Sequence, residues 1–242
     1  MFVQSYHLKS VIKTMLSHAI EAVDFARYHP SSGLRKRAHE SSLNFIEETA
    51  RKAIAFASPK DLMRYALRTA QADLGALAEF GVYRGKSINF IAKQVSPATV
   101  FGFDSFEGLP VHWHNMERSS FSLGGRPPKV RDNVRLIKGL YDESLPGFLG
   151  DFRGNFAFMH IDCDVYVSVK TVLDNAGSRI VPGTVILFDD YFNQPFWEDD
   201  SHKAFSEFIE RTRCKVTYLG FGHRELLVRI DAIDRAADPV AL

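Results

Sequence analysis

The chain has 242 residues, 45% of them hydrophobic, and its 30 basic and 29 acidic side chains leave a formal net charge of +1. That length allows one sizeable core, and the near-balance of charge removes any overall field that would draw the chain to nucleic acid or an anionic membrane. Cys163 and Cys214 are too few for a disulfide framework and lack the paired spacing of a zinc site. No apolar leader or bilayer-length stretch is present, so the reading is a cytoplasmic protein.

In chain order, apolar residues from Val11 to about Ala57 recur at helical spacing, as in Val11, Met15, Ala19 and Val23 and again in Leu43, Ile46, Ala50 and Ile54. They predict a helical N-terminal extension over residues 1–60, broken at His29-Pro30-Ser31-Ser32-Gly33. Pro59 opens a further helix from Lys60 to about Gln71. Over residues 61–242 the rhythm changes. Gly75–Phe80, Thr99–Phe103, Val134–Lys138, Phe156–Ile161 and Thr184–Phe188 read as buried strands, alternating with helices over Lys86–Gln94, Ser168–Ala176 and His202–Thr212. This alternation predicts an α/β fold with a parallel, Rossmann-like sheet covered on both faces. Val216–Leu219 and Glu225–Ile230 are separated only by a short turn, so the last strand is expected to run antiparallel.

The segment Glu79-Phe80-Gly81-Val82-Tyr83-Arg84-Gly85-Lys86-Ser87 leaves a strand and enters a helix, where open α/β sheets bind ligands. Gly81 permits a tight turn, and Gly85 lets backbone approach a ligand. Asp104 ends the next strand, where a carboxylate accepts hydrogen bonds from both ribose hydroxyls of an adenosyl group; the other reading makes it a turn residue or a helix cap. The G-x-x-x-G spacing departs from the G-x-G-x-x-G that cradles a pyrophosphate, so a nucleoside without phosphates, such as S-adenosylmethionine, fits better.

The next two strands end in Ile161-Asp162-Cys163-Asp164 and Phe188-Asp189-Asp190. Neighbouring parallel strands bring such ends to one rim, and four acids without a basic sequence neighbour point to a bound cation. Oxygen-only ligands favour Mg2+ or another hard divalent ion. Strand termination and capping by Asp189 and Asp190 is the plainer alternative. A cation there lowers the pKa of an acceptor hydroxyl and aims it at a sulfonium methyl. Asp164 is the candidate general base; His160 reads as a core histidine, and His223 in the tail turn is a weaker candidate base.

Taken together, EFGVYRGKS, FGFDSFEGLP, VRLIKGLYDESLPGF, FMHIDCDVYVSVKTVL and GTVILFDDYF resemble the macrocin O-methyltransferase family of metal-dependent sugar methyltransferases. The resemblance implies the class I methyltransferase sheet with strand order 3-2-1-4-5-7-6. It implies Glu79, Gly81, Tyr83, Gly85, Ser87, Asp104 and Ser105 around S-adenosylmethionine, and Asp162, Asp189 and Asp190 as ligands of Mg2+. The same three positions look like the metal set of catechol-type methyltransferases, but Val165 stands where that group has its catalytic lysine, which leaves Asp164 as the better base. The acceptor implied is a small hydroxylated molecule such as a sugar of a glycosylated metabolite. The family's habit also implies a homo-oligomer joined through the N-terminal extension.

Val111–Pro128, with His112, Trp113 and His114, is either a lid or a disordered loop. Pro195-Phe196-Trp197 is an acceptor wall, a patch beneath the N-terminal helices, or a subunit contact. Two rival functions stay open. Glycine spacing speaks against a nicotinamide-dependent oxidoreductase, and the four acids speak against a non-catalytic adenosyl-binding scaffold.

Overall fold

In the computed structural model, which describes residues 2–114 and 116–234, two long helices precede an eight-stranded sheet. Helix α1 (Phe2–Tyr28) ends at His29, and α2 (Pro30–Thr49) begins at once on Pro30. The expected break falls at His29, and Pro30 opens α2, because its missing N–H lies in the first turn, where no helical acceptor exists. Ser31, Ser32 and Gly33 continue that helix.

The remaining elements are β1 (Ile54–Ala55), α3 (Pro59–Thr69), β2 (Gly75–Phe80), α4 (Lys86–Val95), β3 (Val100–Asp104), β4 (Val134–Lys138), α5 (Tyr141–Asp151), β5 (Asn155–Ile161), α6 (Tyr166–Ala176), β6 (Val185–Phe188), α7 (Ser201–Thr212), β7 (Lys215–Phe221) and β8 (Leu226–Ala232). Their order across the sheet is β1-β7-β8-β6-β5-β2-β3-β4. Only β8 runs antiparallel to its neighbours. The seven strands from β2 onward reproduce the expected class I order, and β1 adds a short parallel edge beside β7. The sheet therefore draws on Ile54 and Ala55, within the segment read as the N-terminal extension.

The sheet is apolar on both faces. On one side Phe80, Phe103, Phe156, Phe188 and Phe205 pack with α2, α5, α6 and α7; on the other Leu77, Phe158, Val185 and Leu227 pack with α3 and α4. Phe80 and Phe103 stack with centroids 5.0 Å apart. Helix α5 is absent from the sequence-based reading because Pro146 lies inside it, and proline ordinarily breaks a helix interior. This framework brings the C-terminal ends of β2, β3, β5 and β6 to one rim.

Candidate active site

That rim opens into a cavity of about 410 Å3, within the range of small-molecule sites. Gly81, Tyr83, Asp104 and Ser105 line one part of it, and Asp162, Asp164, Asp189 and Asp190 another. Tyr141 and Cys163 lie among the lining residues as well.

The glycine turn is built by protein contacts. Gly81 has φ +98°, and a Cβ there would stand 1.7 Å from the Asp162 carbonyl oxygen, so glycine is what lets the ends of β2 and β5 lie side by side. Asp104 fastens the turn: Oδ2 accepts from the Val82 and Tyr83 N–H groups at 2.9 and 2.7 Å, and Oδ1 accepts from Phe106 N–H at 2.7 Å. Three of roughly four carboxylate lone-pair positions are thus engaged, leaving room for one further donor. Asp104 is a turn residue and a cavity residue at once. Ser105 accepts from Glu107 N–H at 3.1 Å and shapes the same corner.

Three residues expected around the cofactor are placed elsewhere among the described residues. Glu79 is fully buried behind the rim, where Oε1 meets His160 Nδ1 at 2.8 Å. Ser87 sits beside Glu79. A Cβ on Gly85 would face Asn89, Pro128 and Val130, because that glycine caps α4 against protein and not against the cavity. Their sequence positions mark the turn, but Glu79 lies inside β2, one residue before its end, and Gly85 and Ser87 lie beyond the turn at the start of α4.

The four acids do converge. Asp162, His160 and Asp189 offer ligand atoms within 4.8 Å of one another, and so do Asp162, Asp164 and Asp190; Asp162 belongs to both groups. Burial and then the neighbouring Asp189 hold the Asp162 carboxyl well above the usual carboxylate range. Burial and then Asp190 push Asp164 up to about 8. Burial alone would raise Asp189, but the adjacent His160 and Arg224 bring it below its ordinary value. Burial works against a charged His160, yet the carboxylates of Asp189 and Glu79 raise its pKa well above that of a free imidazole. Asp164 also has φ +60°, a left-handed backbone that aspartate enters more readily than most side chains.

Two positive partners for these acids are invisible in sequence. Arg224, from the turn between β7 and β8, donates to Asp190 Oδ1 at 2.9 Å and lines the cavity. His160 is the other. The acids lack a basic neighbour in sequence but have one in space: strand pairing of β8 with β6 carries Arg224, thirty-four residues further along the chain, to Asp190. His223 is hydrogen-bonded with Asn193 at 3.2 Å and is not among the cavity residues.

The segment 106–128 folds over the cavity through its own bonds. Leu109 N–H donates to the Arg118 carbonyl at 2.8 Å, and Leu123 and Gly125 both donate to the Phe106 carbonyl at 2.9 Å. Trp113, Met116 and Phe121 line the cavity. Trp113 Nε1 donates to Asp200 Oδ2 at 2.9 Å, and His114 Nε2 lies 3.3 Å from the same oxygen. Trp197 is buried under α2, donating to Ser41 Oγ at 2.8 Å and meeting Phe45, whereas Phe196 is 54% exposed; neither lines the cavity.

A family model described as a methyltransferase domain matches residues 78–191, the span that holds every rim residue except Arg224. The matched span, 114 of the chain's 242 residues, is similar to a methyltransferase domain. A stretch of 160 residues is 31% identical to 8-demethyl-8-(2,3-dimethoxy-alpha-L-rhamnosyl)-tetracenomycin-C 4'-O-methyltransferase of Streptomyces olivaceus, covering 54% of this chain and 59% of that protein. The chain thus spans somewhat over half the length of that relative. Among solved structures, calicheamicin methyltransferase CalS11 aligns with a TM-score of 0.59 at 18% identity over 83% of this chain and 93% of that one. The O-methyltransferase NovP aligns with a TM-score of 0.55, again at 18% identity, over 71% and 79% of the two chains. At such identities the structural likeness concerns the fold, and it is that of the class I methyltransferases. The resemblance to sugar O-methyltransferases read from the sequence is borne out by these matches.

Proposed function

We propose that the chain methylates a hydroxyl of a small molecule, a sugar of a glycosylated metabolite, using S-adenosylmethionine and a divalent metal. The observation that carries this reading is one cavity with the Gly81–Asp104 turn at one part and four carboxylates at another. The sugar assignment rests on the rhamnosyl acceptor in the name of the Streptomyces relative.

In this reading Asp104 holds the turn and offers its remaining lone pair to the cofactor ribose, while Tyr83 and Ser105 enclose the cofactor. Asp162, Asp189 and Asp190 are the metal ligands; half-buried acids at one rim, with Asp162 common to two groups whose ligand atoms lie within 4.8 Å of one another, fit a hard divalent cation. S-adenosylmethionine supplies an electrophilic sulfonium methyl, and the metal supplies a Lewis acid that acidifies the acceptor hydroxyl. Asp164, at the same rim, would take the acceptor hydroxyl's proton, and the oxygen would receive the methyl group as the carbon–sulfur bond of the cofactor is broken. Trp113, Met116 and Phe121 exclude water and orient the acceptor.

The exposed apolar stripe of α1, with Val11, Ile12, Met15, Leu16, Ile20 and Val23 all more than half exposed, supports pairing between copies of the chain. Among the described residues no helix is long and apolar enough to cross a membrane.

The test is calorimetric titration of S-adenosylmethionine and S-adenosylhomocysteine with and without Mg2+, followed by a panel of rhamnosides and other glycosides with Asp164→Asn as control. Saturable binding, methyl transfer to a glycoside, and a loss of about 100-fold or more in kcat for the variant are expected. Folded protein that binds neither ligand would refute the reading.

A further inference from the structure

We propose that His160 Nε2 is a nitrogen ligand of the metal, joining Asp162 and Asp189, and that Glu79 is the carboxylate that orients the ring for it. The inference rests on the metal assignment above and changes its donor set from oxygen alone to nitrogen and oxygen.

Glu79 and His160 are partners in register on the parallel strands β2 and β5, so their side chains share one face of the sheet. Both are buried, at 0% and 1% exposure, in a sheet interior whose other buried residues on β2 and β5 are apolar. Packing does not account for this pair: apolar residues of similar volume would hold such a site at least as well. The pair needs a purpose outside the core.

Its geometry supplies one. Glu79 Oε1 occupies Nδ1 at 2.8 Å, which fixes the ring plane and turns Nε2 toward the rim. Nε2 is buried without a hydrogen-bond partner, and its nearest acid, Asp189 Oδ1, stands 3.7 Å away. That separation is too long for a hydrogen bond. It matches two ligands of one ion, since donors each about 2.1 Å from a metal lie roughly 3.0 to 4.2 Å apart as the angle between them opens from a right angle to a straight line. Asp162, two residues beyond His160 on the same face, completes a group whose ligand atoms all lie within 4.8 Å of one another. A carboxylate on one ring nitrogen with a metal on the other is the usual arrangement of a ligating histidine. Any proton on Nε2 passes to solvent as the metal coordinates.

A nitrogen donor moves the preference from Mg2+ and Ca2+ toward Mn2+, Fe2+, Co2+ and Zn2+. In this donor set His160 takes the place given above to Asp190, which accepts from Arg224 at 2.9 Å, and Asp164 stays free to take the acceptor proton.

The experiment uses the full chain without cofactor. Wild-type protein, His160→Gln and Glu79→Gln are titrated calorimetrically with Mn2+ and with Mg2+, and the Mn2+ complexes are studied by pulsed electron paramagnetic resonance, including wild-type protein labelled with 15N-histidine. The expected results are tighter binding of Mn2+ than of Mg2+, a 14N coupling in the wild type that becomes a 15N coupling on labelling, and loss of that coupling in His160→Gln. Mn2+ affinity should fall about 10- to 100-fold in both variants, with S-adenosylhomocysteine affinity unchanged. The labelled wild type decides the matter even if a variant fails to fold. Bound Mn2+ with no histidine nitrogen coupling overturns the inference and leaves His160 as a charged partner of Asp189, with the oxygen-only site intact. Absence of any Mn2+ or Mg2+ binding by folded wild type overturns the inference and the metal assignment together.

Discussion

Arg224 donates to Asp190 Oδ1 at 2.9 Å, so the acidic rim carries a cation of the chain at its mouth. The guanidinium is 44% exposed while the carboxylate is 13% exposed, which places the positive charge on the solvent side of the pair. A metal bound among the same acids feels that charge as a repulsion. Replacement by Arg224→Gln should therefore strengthen Mg2+ binding by about 1 kcal/mol, the scale of one unit charge near a protein surface. Calorimetry on the two proteins checks this, and weaker binding in the variant would show that Arg224 serves the metal site instead of competing with it.

Metal-free protein should be more stable at pH 6 than at pH 9. Burial beside other acids raises Asp162 and Asp164, and neighbouring carboxylates raise His160 despite its burial. Each group binds its proton more tightly folded than unfolded. The stability this contributes is complete below the unfolded pKa and is lost as pH rises through the folded one, about 8 for Asp164. Millimolar Mg2+ should narrow the difference by favouring the ionised acids. Thermal melts at both pH values, with and without metal, measure it; equal metal-free melting temperatures would contradict the buried-acid account.

Gly81→Ala should cost about 3 kcal/mol or more, the scale of the largest single-residue effects. Its φ of +98° disfavours any side chain, and the new Cβ would meet the Asp162 carbonyl at 1.7 Å. Urea denaturation reads the loss. A variant of wild-type stability would mean that β2 and β5 separate without penalty, which their register does not allow.

Asp200 ties the cavity loop down through Trp113 Nε1 and lies 3.3 Å from His114 Nε2. Asp200→Ala leaves the buried indole N–H without its acceptor, a loss of about 1–3 kcal/mol. The expected readout is a raised KM for the acceptor with S-adenosylhomocysteine affinity unchanged, because Asp200 touches the loop and not the glycine turn. If cofactor affinity fell in parallel, the loop would have to be assigned to both ligands.

Much of this protein is written locally. Alternating apolar strands and amphipathic helices depend on nearest neighbours and periodicity, so the elements themselves were legible, while their order from β2 to β8 is what the resemblance to the class I methyltransferases implied. The convergence of Asp162, Asp164, Asp189 and Asp190 was legible too, because the ends of adjacent parallel strands meet whatever the helices between them do. Helix α5 was hidden by Pro146, whose local cost is outweighed by packing of Leu145 and Phe148 against the sheet.

Tertiary structure alone decided what faces what. Glu79 lies in the nucleotide-side motif, yet it points to His160, because register across two strands separated by eighty-one residues sets which side chains share a face. Arg224 reaches Asp190 only through the antiparallel return of β8 beside β6. Trp113 depends on Asp200, eighty-seven residues away, for its place over the cavity. The residue types that perform the chemistry are local information; their partners, and hence their charge and orientation, are set by long-range pairing that no spacing along one chain encodes.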